Sequence, residues 1–540
     1  MNTSLALTLG HNSSAVLIQD GEIICGYEQE RFSTKKSDSS YPAEAISRIN
    51  ELFPLPSDTN ICMGHWFLDH KLPLSNKYWN PGHLLTLCPK ANLLSIDREF
   101  SHHDSHLESA IVFAGSDFAP TYTAIVADGF GSSGECISVY EVFGKSYRLL
   151  QRWFGFEKSL GMLYQYATAF LSMKMHNHEY KMLAYETHIY RLGINTDKLD
   201  TVVDSIVTGW VENLFPPKFH SATDPVASID ALPRVQEAID KMLTSILMDT
   251  DSQDVDLFTK RCIVSYSVQR IVEKVMSIIL QTYKTDDLLL VGGLFYNVKL
   301  NSLLAKQVTG RTCIMPLAGD QGAGLGVYNR YFGDLKWPNH LLWGKRNLKF
   351  SADDDYMKVL PTMADAMPSI RQELRSVGLV NLVRGAMEFG PRALCNTTTL
   401  AIPRHNIGAL VNEMNSRTNE MPFALVMSQE QANELFVDVD KIHKSLEYMI
   451  CTRDFKPGAQ INVYGGAHYY ANTQTFTCRP QITNDPYILT LVKEFGPLIN
   501  TSFNFHGVPI VFDEPTIKHT HYMQRRTMPS LKFKTIIIEV

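Results

Sequence analysis

Short apolar runs broken by polar turns open the chain. "LALTLG", "AVLIQ" and "EIICGYE" are separated by "HNSS" and by Asp20-Gly21, a dipeptide that turns hairpins between apolar segments. Residues 4–28 are therefore predicted as strand, turn, strand, turn, strand, and "PAEAISRINELF" from Pro42 as a first helix. A glycine and polar turn at the start of such a strand pair is how actin-like and sugar-kinase-like folds cradle phosphate on backbone N–H groups.

The same pattern returns near residue 125. "TYTAIVADGFGSSGECISVYEVFG" contains Gly129, Gly131 and Gly134 in a G-x-G-x-x-G arrangement after a strand. A dinucleotide fingerprint needs its last glycine to open a helix. "ECISVYEVF" is rich in β-branched and aromatic residues, so it reads as a returning strand and the dinucleotide reading fails. Two strand, glycine turn, strand units imply a duplicated lobe with a cleft between the copies. Helical spacing dominates 160–280, as in "SVQRIVEKVMSIILQTY". "LLLVGGLFYNVKLNSLLAKQ" and "TCIMPLAGDQGAGLGVYNRYF" each read as strand, glycine-rich turn and helix. The polar, Pro-containing stretch at 335–360 places a boundary near 350, giving domains 1–350 and 351–540, the second again alternating strand and helix.

Composition narrows the class. The 540 residues are 45% hydrophobic and 20% charged, ordinary for a globular protein with more than one domain. "MNTSLALTLG" lacks the basic start of a signal peptide, and no apolar run reaches the length of a membrane span, so a cytoplasmic protein without membrane contact is expected. Nine cysteines without a C-x-x-C pair argue against a disulfide framework or a zinc knuckle. A metal would have to be held by His and carboxylate. The formal charge of −6 disfavours a broad nucleic-acid surface, and the composition is compatible with an oligomer.

Candidate chemistry begins at "FSHHDSHLES". His102 and His106 are four apart, so on a helix both imidazoles share a face, whereas His103 and Asp104 point elsewhere, to a supporting layer or to solvent. Asp320, on the glycine turn "PLAGDQGAG", would complete two His and one carboxylate, a set suited to Fe(II) or Zn(II). Asp128, at the end of "AIVAD", could add a fourth oxygen; each aspartate is also a natural turn cap. Gly292-Gly293 with Asn297 and Asn301 fits either a nucleoside clamp or a plain strand-to-helix turn.

Together these residues resemble a known family, the O-carbamoyltransferases of the nodulation protein U / cephamycin carbamoyltransferase type. The matching pieces run the length of the chain: "GHNSSAVLIQDG", "EQERFSTKK", "HHDSH", "VADGFG", "LVGGLFYNVKLN", "LAGDQGAGLG", "GAMEFGPRALCN", "TCRPQ" and "LINTSFNFHGVPIV". The resemblance implies an α/β chain with a duplicated actin-like (RNase H-like) domain followed by a smaller YrdC-like domain. It implies an ATP-dependent O-carbamoyltransferase: the second domain joins carbamoyl phosphate to ATP, releasing pyrophosphate and leaving carbamoyl adenylate, and the first transfers the carbamoyl group to an acceptor hydroxyl. Fe(II) or another divalent metal, ATP with Mg(II), and carbamoyl phosphate are the implied cofactors and co-substrate.

Carried over position by position, the resemblance implies metal ligands at His102, His106, Asp128 and Asp320, and reacting-centre residues at His11, Lys36 and Asp128. In the second domain Arg392, Arg417, Arg479 and Ser502 would grip phosphates, while on the clamp reading Gly292, Gly293 and Asn297 would face the nucleotide. The chain departs from the family at Asn415, where a Lys is usual, at Met421, where an Arg is usual, and at Cys395 and Thr397, where Gly and Arg are usual. "YKMLAYETH", around Lys181, replaces a glycine-rich family segment. Arg384, Arg404 or Lys456 are the candidates to compensate the missing charges. Two alternatives therefore stand beside the main expectation: a transferase whose adenylation domain is degenerate, and a non-catalytic nucleotide-binding regulator. The acceptor is a small-molecule hydroxyl, on a sugar, a natural product or a hydroxymethylated pyrimidine nucleotide, with polymeric DNA less favoured by the charge.

Overall fold

The computed structural model describes all residues except 1, 65–77, 98, 216–230, 250–254, 347–349, 351–354, 419–421 and 540. Met421 and the residues flanking the expected boundary at 350 thus lie outside the described residues. The fold is a mixed α/β arrangement built on three large sheets.

The predicted opening strands form as Thr3–Thr8, Ser14–Gln19 and Glu22–Glu28, antiparallel neighbours with Leu7 opposite Ala15. Asp20 and Gly21 both take positive φ (47° and 83°), the backbone that a two-residue hairpin turn requires. Asn60–Gly64 and Asn92–Ser95 extend this first sheet in parallel on the other side of Thr3–Thr8. The second sheet has the same order and the same directions. Ser146–Phe154, Glu135–Phe143 and Thr121–Ala127 are antiparallel, and Leu288–Val291 and Thr312–Ile314 follow in parallel. The glycine-rich stretch before Glu135 makes a short 3-10 turn at Ser132–Gly134, not a helix, as the β-rich sequence after it requires.

Two helices join the sheets. His102–Ala114 and Ala323–Phe332 pack on one another, and one apolar cluster combines Leu107 and Leu325 with Val16 of the first sheet and Val126 of the second. Their approach depends on Gly326: a Cβ there would stand 1.7 Å from the carbonyl oxygen of Ser105. Helices between Leu160 and Thr282 cover the other face of the second sheet.

The third sheet, in the C-terminal part, has nine mixed strands among the described residues. This part is interlocked with the first. Ile442–His443 adds a sixth strand to the second sheet beside Thr312–Ile314, and Ser445 Oγ both accepts from the Ile314 amide (2.7 Å) and donates to its carbonyl (2.9 Å). Leu342–Gly344 pairs with Met387–Glu388, and Trp343 stacks on Phe389. All nine cysteines are buried and none forms a disulfide. Among the described residues no helix is long and apolar enough to cross a membrane.

Candidate active site

The four residues at 102, 106, 128 and 320 meet at one point. The Nε2 atoms of His102 and His106 are 3.0 Å apart. Asp128 Oδ2 lies 3.6 Å from His102 Nε2 and 3.3 Å from His106 Nε2, and Asp320 Oδ1 lies 3.5 and 3.6 Å from them. Asp128 directly follows the strand Thr121–Ala127, and Asp320 opens the short turn before Ala323–Phe332.

Helix His102–Ala114 starts where it does because its first amides are all taken. Ser101 and Asp104 form a reciprocal capping box, His102 N donates to Ser132 Oγ (3.1 Å), and His103 N donates to Glu135 Oε1 (2.9 Å). His103 and Asp104 are not solvent-facing. Both are buried: the His103 ring bonds Ser138 Oγ (2.8 Å), and Asp104 Oδ1 accepts from Arg152 Nη2 (2.8 Å) and Tyr140 OH (2.7 Å). They form the back of the site, which fixes the rotation of the helix that aims both imidazoles.

The electrostatics call for a cation. Burial alone would lower the pKa of His102, but hydrogen bonds to Asp128 and Asp320 outweigh it and raise it to about 10. His106 is raised as well, against burial and the charge of His102. Burial would raise the two aspartates, yet the imidazoles hold Asp320 at about 2 and Asp128 well below its ordinary value. Two N–H groups cannot face each other at 3.0 Å, so one divalent ion meets this demand better than two protons. The spacing agrees: ligands about 2.0–2.2 Å from a metal stand roughly 3.0–3.6 Å apart at octahedral or tetrahedral corners. The four candidate ligand atoms all lie within 4.8 Å of one another, and both Nδ1 atoms are buried without a hydrogen-bond partner among the described residues. These four residues, two imidazoles and two carboxylates, could hold one metal ion.

Beside this cluster lies a basic cleft drawn from both parts of the chain. His11 donates from Nε2 to the carbonyl of His176 (3.2 Å) while its Nδ1 accepts from Asn12 (2.9 Å). Lys36 sits over the Tyr180 ring at 5.3 Å. Burial lowers its pKa to about 8; Glu30 opposes that, and the nearby charges of Arg417, Arg392 and Lys181 add to it. Arg417 donates to Thr501 Oγ1 (2.8 Å), Asn504 Oδ1 (2.8 Å) and Ser502 Oγ (3.2 Å). Burial lowers Arg392, Arg417 and Arg479, the last also through its two neighbours. The side chains of Lys36, Arg392 and Arg479 have no hydrogen bond or ion pair with any described residue. Tyr296 connects cleft and cluster: it feels the charges of both Arg392 and Asp320, and its hydroxyl donates to Gln321 Oε1 (3.2 Å).

The glycine and asparagine group is used differently. A Cβ on Gly292 (φ 106°) would meet the Ala127 carbonyl at 2.2 Å, and one on Gly293 would meet Asp128 Oδ1 at 2.8 Å. Both glycines let the chain close against the strand that presents Asp128. Asn297 caps helix Val298–Gln307 through Leu300 N (3.0 Å) and donates to Gln269 Oε1 (2.8 Å); Asn301 donates to the carbonyls of Phe295 (2.6 Å) and Ile450 (2.7 Å).

Two of the departures have side-chain partners and a third has a special backbone. Asn415 accepts from Gln524 Nε2 (2.6 Å), Thr397 Oγ1 accepts from buried Arg346, and Cys395 takes φ 74°, the backbone for which glycine is suited. Arg384 is committed to Asp485 (2.9 Å) and the Cys395 carbonyl (2.9 Å), Lys456 is exposed and donates to the Asn433 carbonyl, and Arg404 is exposed. None of the three candidates for compensation joins the basic cleft. Sequence reasoning missed Arg346, Tyr180 and Tyr296; the polar run "EQERFSTKK" was the signal for the supports of Lys36.

An α/β protein that sets a His and carboxylate cluster beside cations with no ion pair among the described residues has the outline of a group-transfer enzyme. Residues 85–328 match the family described as "Carbamoyltransferase N-terminus", and residues 371–539 that described as "Carbamoyltransferase C-terminus". The chain belongs to the carbamoyltransferase family, enzymes that transfer carbamoyl. Relatives include "Uncharacterized protein MJ1051" of Methanocaldococcus jannaschii, 24% identical over 94% of both chains. Nodulation protein NolNO of Sinorhizobium fredii is 23% identical over 93% of this chain and 75% of that protein. The 3'-hydroxymethylcephem-O-carbamoyltransferase of Amycolatopsis lactamdurans is 27% identical over 40% of this chain and 42% of that protein. Among solved structures, the Acidaminococcus fermentans (R)-2-hydroxyglutaryl-CoA dehydratase component A is similar with a TM-score of 0.31 and 13% identity, covering 61% of this chain and 97% of that one.

Proposed function

We propose that the chain is an ATP-dependent O-carbamoyltransferase, with residues 1–350 forming an actin-like transfer domain and 351–540 a YrdC-like adenylate-forming domain. The equal strand order and direction of the first two sheets supports the duplicated lobe. The observation that carries the reading is a set of cations, Lys36, Arg392 and Arg479, that form no hydrogen bond or ion pair with any described residue and converge with Arg417 beside the His and carboxylate cluster. Half-buried positive charges with no ion pair among the described residues are suited to a ligand dense in phosphate.

In the first step carbamoyl phosphate, ATP and water give carbamoyl adenylate, pyrophosphate and phosphate. The guanidinium groups of Arg392, Arg417 and Arg479 hold phosphoryl oxygens, and Ser502 orients Arg417. In the second step the acceptor oxygen bonds to the carbamoyl carbon, the C–O bond to AMP breaks, AMP leaves, and the hydroxyl proton passes to solvent water. Lys36 neutralises the departing phosphate. His11, its tautomer set by Asn12 and the His176 carbonyl, lines the approach of the acceptor. His102, His106, Asp128 and Asp320 would hold the metal, which when bound polarises the carbonyl or acidifies the hydroxyl without redox change. Gly292, Gly293 and Asn297 contribute to the nucleotide side by shaping the turn. The acceptor is a hydroxyl of a sugar, a natural product or a hydroxymethylated pyrimidine nucleotide, as in the hydroxymethyl substrate named for the cephem relative.

Protein incubated with carbamoyl phosphate, ATP, Mg(II), Fe(II) and a library of hydroxyl compounds should release AMP and pyrophosphate and add about 43 daltons to one acceptor, CHNO being inserted at the hydroxyl. No AMP or pyrophosphate release with any acceptor would overturn the reading. A second reading, transfer from an adenylate made elsewhere, draws support from Asn415 and Thr397, where expected cations are missing. Arg479→Ala separates them: unchanged turnover from carbamoyl phosphate would favour the second.

A further inference from the structure

The run "EQERF" contributes none of the cations or ligands above, yet it holds two of them. Arg31 is 4% exposed. Its Nη2 contacts Glu28 Oε2 (2.5 Å) and donates to the Gly390 carbonyl (2.9 Å), and its Nη1 pairs with Glu30 Oε1 (2.8 Å). Each of these partners leads to a cationic turn. Glu30 Oε2 accepts from the Ser37 amide (2.7 Å). That bond closes the turn carrying Lys36, a turn with left-handed backbone at Thr34 (φ 59°) and Ser37 (φ 57°). Glu28 Oε2 accepts from the Gly390 amide (3.2 Å), so Glu28 and Arg31 together grip both polar groups of the glycine two residues before Arg392. Glu388 fastens the far end of that turn by accepting from the amides of Leu394 (2.7 Å), Asn396 (2.9 Å) and Thr397 (3.1 Å).

We propose that Arg31 is a positioning residue that clamps the Lys36 turn and the Arg392 turn in one register, so that cations from the two parts of the chain close on the same anion. The proposal rests on the reading of that cleft as a phosphate site. A planar guanidinium can bridge two carboxylates and a carbonyl at once; an ammonium keeps the charge without that fork. The buried glutamates would therefore stay partnered in Arg31→Lys, while the register of the two turns would be lost.

The test is calorimetric binding of magnesium pyrophosphate to the full chain. Arg31→Lys should weaken binding about tenfold, the loss of one charge-assisted contact. In a Lys36→Ala/Arg392→Ala background the same substitution should change it by less than about twofold, because its effect runs through those side chains. Equal losses in both backgrounds would mean a structural role only and overturn the proposal, as would wild-type binding by Arg31→Lys. If Lys36→Ala and Arg392→Ala each leave pyrophosphate binding intact, the phosphate reading itself falls and this inference with it. Should Arg31→Lys fail to fold, Glu30→Gln replaces it: weaker binding that disappears in Lys36→Ala supports the clamp, and weakening that persists there refutes it.

Discussion

The Nε2 atoms of His102 and His106 stand 3.0 Å apart, and carboxylate oxygens of Asp128 and Asp320 lie within 3.6 Å of each. Side chains that would otherwise share protons in a buried space should instead bind one equivalent of a divalent metal. A metal present at a hundredfold excess over its dissociation constant stabilises the fold by about 2.7 kcal/mol. Denaturant unfolding with and without Fe(II) or Zn(II), paired with elemental analysis, should show that gain in the wild type and lose it in His106→Ala. Equal metal content in both proteins would remove His106 from the ligand set.

Gly326→Ala tests how tightly the ligand helix is seated. The new Cβ would fall 1.7 Å from the Ser105 carbonyl, so helix His102–Ala114 must move. Overpacking of this kind costs about 1–3 kcal/mol or more. Metal affinity should fall with it, because both imidazoles ride on the displaced helix. Gly209→Ala is the control: it lies inside Thr196–Leu214, where among the described residues nothing beyond its own helix backbone lies within 4 Å of the new methyl, and it should stabilise by about 0.5–1 kcal/mol.

How much of this was visible in the chain depends on the range of each interaction. The Asp20-Gly21 hairpin, the helix of "SVQRIVEKVMSIILQTY" and the returning strand "ECISVYEVF" follow from local turn chemistry and apolar spacing, and all three form. The pairing of His102 with His106 follows from helical periodicity. Their meeting with Asp128 and Asp320 depends on sheet order, which only the family resemblance could supply. Burial of His103 and Asp104 could not be read locally, because their partners Ser138 and Arg152 stand on strands far along the chain. The same holds for Arg31 and Gly390, and for Asn297, whose cap and amide contacts use a side chain that spacing alone left open to a ligand.

The shared sheet predicts cooperative unfolding. Ile442–His443 completes the second sheet, and Ile510 and Phe512 pack in one apolar cluster with Leu5 and Tyr27. A chain ending at residue 346 would bare the edge of Thr312–Ile314 and part of that cluster, and should aggregate. Calorimetry of the full chain should give one transition; two well-separated transitions would show that the parts at 1–350 and 351–540 fold independently.

Lys36 gives the cleft a pH dependence with a definite sign. Its folded pKa of about 8 lies below the ordinary 10.5 through burial and the charges of Arg417, Arg392 and Lys181, opposed by Glu30. Between those two values the unfolded chain holds more protons than the folded one, so ligand-free stability should rise as pH climbs from 8 to 10.5. Below pH 8 both states are charged and this contribution is constant. Anion binding has the opposite trend, because a phosphate beside the ammonium favours its charged form. Pyrophosphate affinity should be strongest below pH 8 and then weaken by up to about tenfold per pH unit, with proton uptake on binding. Lys36→Arg keeps its charge throughout, so its affinity should fall less steeply, while the ligand's own ionisation is common to both proteins. Calorimetric titrations from pH 7 to 9.5 in buffers of different ionisation enthalpy measure both quantities. Parallel profiles for the two proteins, or no proton uptake by the wild type at pH 8.5, would show that Lys36 does not meet the anion.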